Sequence, residues 1–463
     1  MTGTDPLSRH LARLLATGAI VAGGVIGAMM AAGGAFGATL APPPDLVFAN
    51  GFEPAPPRQL TVTNVGGGSF VSVPAAIDCG ATCNAAFPDG ASVTLQARTT
   101  NGSDLSFTGW SGDCTGSFRD CALALTADRT AGATFTAQPW NLAFVSSATF
   151  ATNLGSAAAY DAQCNALASA AGINNAIGDA YVAWISGFGS NALARLGSAR
   201  GFVRLDGVPF ADLFAAPAPA NQIFNPIERD ELGATARSLT MLTGTQASGS
   251  LAAGSCVGWS ASSGVYNAGT NSGGPVAWTN IGLGPCGIAG HVYCLMKTKS
   301  AALSPPAATG RSIWISSAAY APGSASTPDQ FCDADRPAGV ASARAVLATA
   351  TTPASDALSP AALYVRPDGQ VVGTGAELSA ATLRSGIWQT GGGAYLNSPA
   401  IAVWTGDAAD LAGNGTAAGT CTGWSTNAGN GATGLPSLGD ARFWNSGTRA
   451  CSDLTTRLIC AEQ

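Results

Sequence analysis

Residues 256–260 read CVGWS and residues 421–425 read CTGWS, so one cysteine–glycine–tryptophan motif occurs twice in the chain. In both places a further cysteine follows the motif at the same interval, at Cys286 and at Cys451. Two copies of a motif with the same internal spacing indicate a duplicated structural unit. The motif therefore predicts two related modules in the C-terminal part of the chain.

Other residues extend this duplication. Segment 203–207 (VRLDG) recurs as 365–369 (VRPDG), and Trp278 recurs as Trp444. The chain has 12 cysteines in three groups of four. The second and third groups share one spacing pattern. A long gap separates the first cysteine from the second, a gap of the same length in both groups separates the second from the third, and a short gap precedes the fourth. The groups are Cys79, Cys83, Cys114 and Cys121; Cys164, Cys256, Cys286 and Cys294; and Cys332, Cys421, Cys451 and Cys460. We therefore expect one small cysteine-containing module ahead of a tandem pair.

These patterns divide the 463 residues into six segments. In chain order they are an export signal (1–41), a Pro-rich linker (42–58), a small β-rich module (59–137), repeat 1 (140–298), a second linker (299–311) and repeat 2 (312–463).

The N-terminal segment has the pattern of an export signal. Arg9 and Arg13 precede an uncharged run, Leu14–Leu40, and small residues end at Ala41 just before a proline run. This arrangement suits cleavage by a signal peptidase, but the run is also long enough to cross a bilayer if it is not cleaved. We expect a secreted, cell-surface or periplasmic protein, with membrane contact only in the uncleaved case.

Composition excludes several classes of function. Only 10% of the residues are charged, against roughly a quarter in an ordinary soluble protein, and the net charge is −6. A nucleic-acid partner is excluded because such proteins need a concentrated basic footprint. His10 and His291 are the only histidines, and no Gly-x-Ser-x-Gly context accompanies them. We therefore predict no catalytic residues and no enzyme activity.

Local patterns predict strands and one clear helix. Residues 60–63 and 92–95 are β-prone and are followed or preceded by glycine turns. Residues 157–168 are Ala-rich, and Gly172 follows where a helix would end. With short apolar runs among Gly, Ser and Asn beyond this helix, the predicted fold class is α+β.

The small module resembles bacterial repeat modules related to internalin-type B-repeats. The resemblance rests on Ile77–Gly80 with Cys83, on Phe107–Cys114 (FTGWSGDC) and on the closing Ala133–Phe135. It implies an extracellular spacer or adhesion segment without chemistry of its own. Its four cysteines could hold zinc, but export and the absence of nearby histidine favour two local disulfides, Cys79–Cys83 and Cys114–Cys121.

The tandem modules resemble the C-type lectin-like fold, and more closely its endostatin-type branch and a bacterial family of surface proteins. Each module has an early helix, then loops, a tryptophan and two late cysteines. The matching stretches are Ala183–Ser186, Cys256–Trp259 and Tyr293–Cys294 in repeat 1, and Val403–Gly406, Cys421–Trp424, Ala432–Leu435 and Arg457–Glu462 in repeat 2.

This resemblance implies a nested disulfide pairing, first cysteine to last and second to third. The implied pairs are Cys164–Cys294 with Cys256–Cys286, and Cys332–Cys460 with Cys421–Cys451.

The resemblance does not carry over a metal site. Sugar-binding C-type lectins hold Ca²⁺ with a Trp-Asn-Asp tripeptide, whereas the matching positions here are Trp278–Asn280 and Trp444–Ser446 without the carboxylate. The basic face and histidine cluster of endostatin are also missing. We therefore predict no metal and no cofactor; scattered acids such as Asp230, Glu231, Asp407 and Asp410 are the alternative source of ligands.

The duplicated Val-Arg-x-Asp-Gly segment has two interpretations. Its paired charges suit recognition of a polar ligand, whereas Arg366–Gly369 also satisfies the rules for a hairpin turn, which we favour. The paired tryptophans are expected in the core.

We predict a non-catalytic binding or adhesion protein that recognises an unknown extracellular protein or glycan without metal. The alternatives are a purely structural envelope protein and a secreted enzyme.

Overall fold

Strands dominate the computed structural model, which describes residues 55–79, 83–99, 105–116, 119–173, 180–214, 222–406 and 410–463. Strand accounts for 34% of the structure and helix for 12%, in six small sheets. The predicted α+β class is therefore wrong, and the protein is mostly β. The export-signal prediction and most of the first linker lie outside the described residues.

The reason for this difference is the length of the helices. The Ala-rich helix of repeat 1 spans Ala157–Ala170, as expected, and is capped by Ser156. The equivalent helix of repeat 2, Pro328–Ala334, has only seven residues. Arg336-Pro337 soon follows its end, and a residue before proline disfavours helical backbone. Helices this few and short do not form a layer that could cover a sheet.

The N-terminal module is a pair of four-stranded sheets, ordered β4-β1-β8-β6 and β3-β2-β5-β7. Its inward-facing residues, including Leu60, Phe70 and Trp110, form one core. The backbone N–H and hydroxyl of Thr99 both donate to the carbonyl of Gly172, which joins this module to repeat 1. The strands are β1 (Arg58–Val65), β2 (Ser69–Val73), β3 (Asp78–Cys79), β4 (Asn84–Phe87), β5 (Ala91–Arg98), β6 (Leu105–Gly112), β7 (Asp120–Leu125) and β8 (Arg129–Ala137).

Repeat 1 contains a five-stranded sheet, ordered β10-β16-β9-β11-β12, and a three-stranded sheet, β13-β14-β15. Its elements are β9 (Asn141–Val145), α1 (Ala157–Ala170), β10 (Tyr181–Ala183), α2 (Ala192–Leu196), β11 (Phe202–Arg204), β12 (Pro209–Ala211), β13 (Thr240–Leu242), α3 (Cys256–Trp259), β14 (Val265–Thr270), β15 (Gly282–Pro285) and β16 (Tyr293–Met296).

Repeat 2 has the same two sheets, ordered β18-β24-β17-β19-β20 and β21-β22-β23. Its elements are β17 (Arg311–Ile315), α4 (Pro328–Ala334), β18 (Ala343–Ala345), the 3₁₀ turn η1 (Ala354–Ala357), β19 (Leu363–Val365), β20 (Val371–Thr374), α5 (Gly375–Ser379), β21 (Val403–Trp404), α6 (Cys421–Trp424), β22 (Asn430–Gly434), the 3₁₀ turn η2 (Ala441–Phe443), β23 (Gly447–Ala450) and β24 (Ile459–Glu462).

The first and last strands of each repeat are neighbours. Strand β9 pairs antiparallel with β16, and β17 pairs antiparallel with β24. The same first strand pairs in parallel with the hairpin strand on its other side, β11 or β19. The cysteine that the last strand carries is bonded to the first helix, so the ends of each repeat are covalently closed.

The cysteine–glycine–tryptophan motif forms one turn of left-handed helix in both repeats. The φ angles of Cys256, Val257, Gly258 and Trp259 are 47°, 54°, 67° and 72°, and those of the four equivalent residues, 421–424, are 47°, 53°, 67° and 64°. L-residues other than glycine rarely adopt this conformation, and a β-branched residue such as Val257 adopts it least readily. Backbone strain is therefore a shared feature of the two repeats.

The two repeats pack against each other about an approximate two-fold axis. The N–H of Gly274 donates to the carbonyl of Ser437, and the N–H of Gly439 donates to the carbonyl of Ser272, both at 2.7 Å. The two segments that make these bonds follow the cysteine–glycine–tryptophan motif of their repeats at the same distance along the chain. The contact is therefore reciprocal, as in an isologous dimer interface. One apolar core runs through both repeats and includes Trp388.

The linker between the repeats lies along both of them. Leu303 is buried and its N–H donates to Asp212 of repeat 1, while the N–H of Ala308 donates to Gly369 of repeat 2. The carbonyl of Ala302 accepts a hydrogen bond from the indole of Trp140. The segment is thus part of the packed structure, and it forms one wall of the cavity described next.

Candidate functional site: an arginine-lined cavity between the repeats

The two repeats and the linker line a half-open cavity of about 370 Å³. This volume falls within the range of small-molecule sites, which are clefts of roughly 300–1,000 Å³. Repeat 1 lines the cavity with Arg204, Val208, Asn225, Glu228, Arg229 and Arg237, the linker with Pro306 and Ala308, and repeat 2 with Gly369, Gln370, Val371 and Arg384. Four arginines thus converge in a chain with only 10% charged residues.

The duplicated Val-Arg-x-Asp-Gly segment builds one side of this cavity. The first copy forms the hairpin between β11 and β12, and the second copy, Arg366–Gly369, forms the hairpin between β19 and β20, as the turn rules predict for it. Arg204 donates through Nε to Asp206 at 3.0 Å and through Nη1 to the carbonyl of Pro226 at 3.2 Å. Arg229 donates to the same carboxylate at 2.9 Å. Burial opposes ionisation of Asp206, but the hydrogen bonds and charges of both arginines outweigh it and lower the pKa of Asp206.

A buried carboxyl group forms the floor of the site. The side chain of Glu228 is 2% exposed, and its carboxylate is held by Arg237 Nη2 at 2.9 Å and by the hydroxyl of Ser272 at 3.0 Å. Burial raises the pKa of Glu228 to about 7, although the charges of Arg237 and Arg204 pull it down. Near neutral pH this group therefore exists in both protonation states.

Repeat 2 closes the cavity from the other side. Gln370 accepts a hydrogen bond from Asn225 across the interface at 3.0 Å. Arg384, whose side chain is 53% exposed, is paired with Glu377 through Nε and Nη2 at 3.0–3.1 Å. Arg237 joins the two walls, because its Nη2 also donates to the carbonyl of Leu383 at 3.0 Å.

Several donors in the cavity wall have no acceptor. Within the described part of the chain, Arg229 Nη2, Arg384 Nη1 and Gln370 Nε2 make no hydrogen bond. Gln370 is 6% exposed, so its amide lies in a nearly buried position on the wall of the cavity. None of these three donors is among the buried polar atoms that lack a partner in the described residues, which belong to Ser106, Arg129, Trp444 and Thr456, so water or a ligand can reach them.

In repeat 2 a tryptophan occupies the position that corresponds to the buried carboxyl group of repeat 1. The turns 228–236 and 388–396 carry the same backbone hydrogen bonds, so Trp388 is the counterpart of Glu228. The Trp388 ring lies 4.7 Å from the guanidinium of Arg366, and its Nε1 donates to the carbonyl of Ile223 at 2.9 Å. Arg366 is fully buried and donates to the carbonyl of Phe224 of repeat 1. The duplicated arginine therefore joins the repeats on one side of the axis and lines the cavity on the other.

The cysteines lie away from this cavity and form six disulfides. Their Cα–Cα separations are 4.5–6.0 Å. The structure brings together Cys79–Cys83, Cys114–Cys121, Cys164–Cys294, Cys256–Cys286, Cys332–Cys460 and Cys421–Cys451. Six disulfides are consistent with an extracellular protein.

The positions where calcium-binding lectins have their ligands make internal hydrogen bonds. The Thr279 hydroxyl accepts from the indole of Trp184, the Asn280 side chain accepts from Asn267, and the Ser446 hydroxyl donates to Thr433. Trp278 and Trp444 are buried in the core. The described residues contain no group of three His, Cys, Asp or Glu side chains placed to hold a metal ion.

The remaining candidate residues serve local structure. His291 Nδ1 bonds the carbonyl of Ser146 at 2.7 Å. Asp230 and Asp410 each accept two backbone N–H groups from their own turns, and Glu231 caps Ser147 of the neighbouring loop. Asp407 lies outside the described residues.

Sequence reasoning missed most of the cavity. The duplicated Val-Arg-x-Asp-Gly motif was the only signal. It marked Arg204 with its partner Asp206, and Gly369 in the second copy, but not the other residues of the cavity wall. Glu228, Arg229 and Arg237 lie in repeat 1 outside any duplicated motif, and Gln370 and Arg384 come from the other repeat.

No helix in the described ranges is long and apolar enough to cross a membrane. No protein-family model matches the sequence, and a search of curated proteins finds no match.

Proposed function

We propose that this chain is a secreted or surface-attached, non-catalytic binding protein whose ligand site is the arginine-lined cavity. The observation that carries the proposal is the convergence of four arginines and a buried glutamate on one cavity in a chain with few charges. Arginine forks bind anionic and polar groups through paired N–H donors, and the apolar Val208, Ala308 and Val371 complete the walls.

The disulfides and the export pattern support an extracellular setting for this binding. The resemblance to C-type lectin-like and B-repeat modules remains a prediction from the sequence motifs, and it agrees with a binding role. Metal-independent recognition follows from the proposal, since arginine and amide donors bind an anion directly.

A substitution that fills the cavity tests this function. Ala308 lies on the wall, so Ala308→Trp places an indole in the ligand space, whereas the neighbouring Thr309 is exposed and is not part of the cavity wall. The exported protein and both variants would be screened against arrays of glycans and matrix proteins. We expect ligands that bind wild type and Thr309→Trp equally and lose binding to Ala308→Trp.

Two results would contradict the proposal. Ligands that bind Ala308→Trp as well as wild type would place the binding site elsewhere on the surface. An array without any reproducible ligand would instead favour the purely structural role.

A further inference from the structure

Four exposed apolar side chains surround the Cys256–Cys286 disulfide of repeat 1. They are between 47% and 65% exposed and are Val257, Val265, Leu283 and Ile288. Val265 and Leu283 share the outer face of strands β14 and β15, because the next residue of each strand is buried and side chains alternate along a strand. Val257 and Ile288 closely follow the two bridged cysteines, whose Cα atoms are 5.7 Å apart. We call these four residues the apolar surface of repeat 1.

Repeat 2 builds the same elements with polar side chains at these positions. The inner disulfides fix the alignment, because both have a sequence separation of 30 residues. The counterparts of the four residues are Thr422, Asn430, Thr448 and Asp453. The left-handed turn and the three-stranded sheet form in both repeats, so neither requires apolar side chains here. The apolar surface of repeat 1 therefore fits a contact with another molecule.

This part of repeat 1 also lacks charge. Residues 238–296 contain no Asp, Glu, Lys or Arg, whereas the corresponding part of repeat 2 has charged residues such as Arg449 and Asp453. Phe188 extends the apolar surface, since its ring is 70% exposed and an added Cβ on Gly258 would lie 2.6 Å from it. Exposed apolar area that includes an aromatic ring and excludes charge is typical of the centre of a protein interface.

We propose that two copies of this chain associate through the apolar surface of repeat 1 about a two-fold axis. In such a contact each residue near the axis meets its own copy, so a charged residue there would meet a like charge. A different protein could supply opposite charges, but a second copy cannot, and a surface without charge is what self-association requires. An anionic membrane would instead select basic residues. The net charge of −6 makes two copies repel each other, and they approach at least cost where charge is absent.

The two surfaces pack face against face rather than through paired strands. Strand β15 is the last strand of its sheet among the described residues. Its final residue, Pro285, has no N–H to donate to a further strand, so an extended ladder would be short. Packing of the faces buries Val265, Leu283 and Ile288, and this loss of exposed apolar area drives the association.

Sedimentation equilibrium of the full exported protein between about 1 and 100 µM tests this inference. We expect the measured mass to double over this range. Because apolar burial holds the copies together, the dissociation constant of the dimer should change less than about twofold between about 50 and 500 mM NaCl. Hydrogen exchange at the two ends of the concentration range should show added protection in peptides from 256–260 and 281–289, and this measurement needs no variant.

A variant that copies repeat 2 assigns the contact to this surface. Leu283→Thr combined with Ile288→Asp gives repeat 1 the residues found at positions 448 and 453, and each new carboxylate would face its own copy. The dissociation constant of the dimer should rise by at least about tenfold. Leu454→Thr is the matched control, because Leu454 is 75% exposed but lies in repeat 2, outside the apolar surface; it should dimerise as wild type does. Equal denaturation midpoints in dilute solution show that the double variant is folded.

Three results would overturn the inference. A wild-type protein that stays monomeric at 100 µM does not self-associate, and a dimer that is equally tight in the double variant forms through another surface. A monomer that binds phosphatidylcholine vesicles and loses this binding in the double variant has a lipid partner instead of a second copy. None of the residues of the apolar surface lines the arginine-lined cavity, so Ala308→Trp should dimerise as wild type does and each of these failures leaves the proposed function standing.

Discussion

At the scale of single residues, one difference between the repeats decides where a cavity forms. Glu228 and Trp388 hold the same backbone position, but the indole packs against Arg366 and crosses the interface, whereas the shorter carboxyl leaves space in front of Arg204. The sequence showed the duplicated arginines, and it could not show their different surroundings. Those surroundings depend on residues from different repeats that meet only in the folded chain.

Glu228 should make the stability of the protein depend on pH. Its pKa is about 7 in the folded protein, above the ordinary value of 4.5, so the folded state holds a proton that the unfolded state has lost between these values. Stability contributed by this group is therefore fully present below pH 4.5 and is lost as pH rises to about 7, by about 3 kcal/mol. Denaturant unfolding of wild type and Glu228→Gln between pH 4.5 and 8 measures how the free energy of unfolding changes with pH.

The free energy of unfolding of Glu228→Gln should not show this decrease with pH, and the variant should be more stable than wild type at pH 8. Asp206 and Asp440 have lowered pKa values, so they take up protons only below the range between pH 4.5 and 7. Their protonation there reduces the stability of the folded protein. A wild-type protein whose stability rises between pH 5 and 7 would contradict the assignment.

At the scale of elements, the left-handed turn is the feature that sequence patterns did not reveal. The motif identified the disulfide and the buried tryptophan, but no residue preference indicates a positive φ at Val257 or Thr422. The turn is held by its surroundings instead. Ser255 and Thr420 cap it from their hydroxyls, and the indole of Trp259 donates to the carbonyl of Ser186 at 2.7 Å.

Relief of this strain should stabilise the protein. Val257 is 60% exposed with φ 54°, so its side chain contributes little packing while its backbone is strained. Asparagine adopts this conformation more readily, and Val257→Asn should raise the free energy of unfolding by ~1 kcal/mol. Val265→Asn is the control, because Val265 is also exposed, at 47%, but lies in strand β14, where valine is favoured.

Denaturant midpoints of the two variants give the comparison. The control should be less stable than wild type, and the turn variant more stable. Equal losses of stability in both would show that the side chain of Val257 makes a contact worth more than the strain.

The two disulfides of a repeat should contribute unequally. Cys164–Cys294 closes 130 residues and Cys256–Cys286 closes 30. In the chain-entropy model these loops correspond to about 5 and about 3.5 kcal/mol, so replacing both cysteines of the outer bridge by alanine should cost more. Unfolding of the two double variants by denaturant measures this difference. A larger loss for the inner pair would indicate that the bridge mainly holds the left-handed turn.

At the scale of the whole molecule, the duplication was predictable and the packing of its copies was not. Matched cysteine spacings, the helix at 157–168 and the strands of the N-terminal module are local patterns, and the structure contains all of them. The α+β class failed because one Ala-rich helix was taken as representative of both repeats. The reciprocal contact joins short glycine-containing segments, 272–274 and 437–439, whose backbone groups make the hydrogen bonds. Such a contact leaves no side-chain pattern to read.

The shared core predicts that the two repeats unfold together. Trp388 of repeat 2 packs on Gly274 of repeat 1, where an added Cβ would lie 2.3 Å from the ring. Gly274→Ala therefore overpacks the interface and should lower the free energy of unfolding by about 1–3 kcal/mol.

Because both repeats share one apolar cluster, amide exchange should show the same loss of protection in peptides from strands β10 and β20. Gly392→Ala is the control, since an added Cβ there meets nothing within 4 Å, and it should leave exchange unchanged in both strands. Loss of protection confined to one repeat, or two separate transitions in wild type, would mean that each repeat is stable alone and that the cavity between them can open without unfolding.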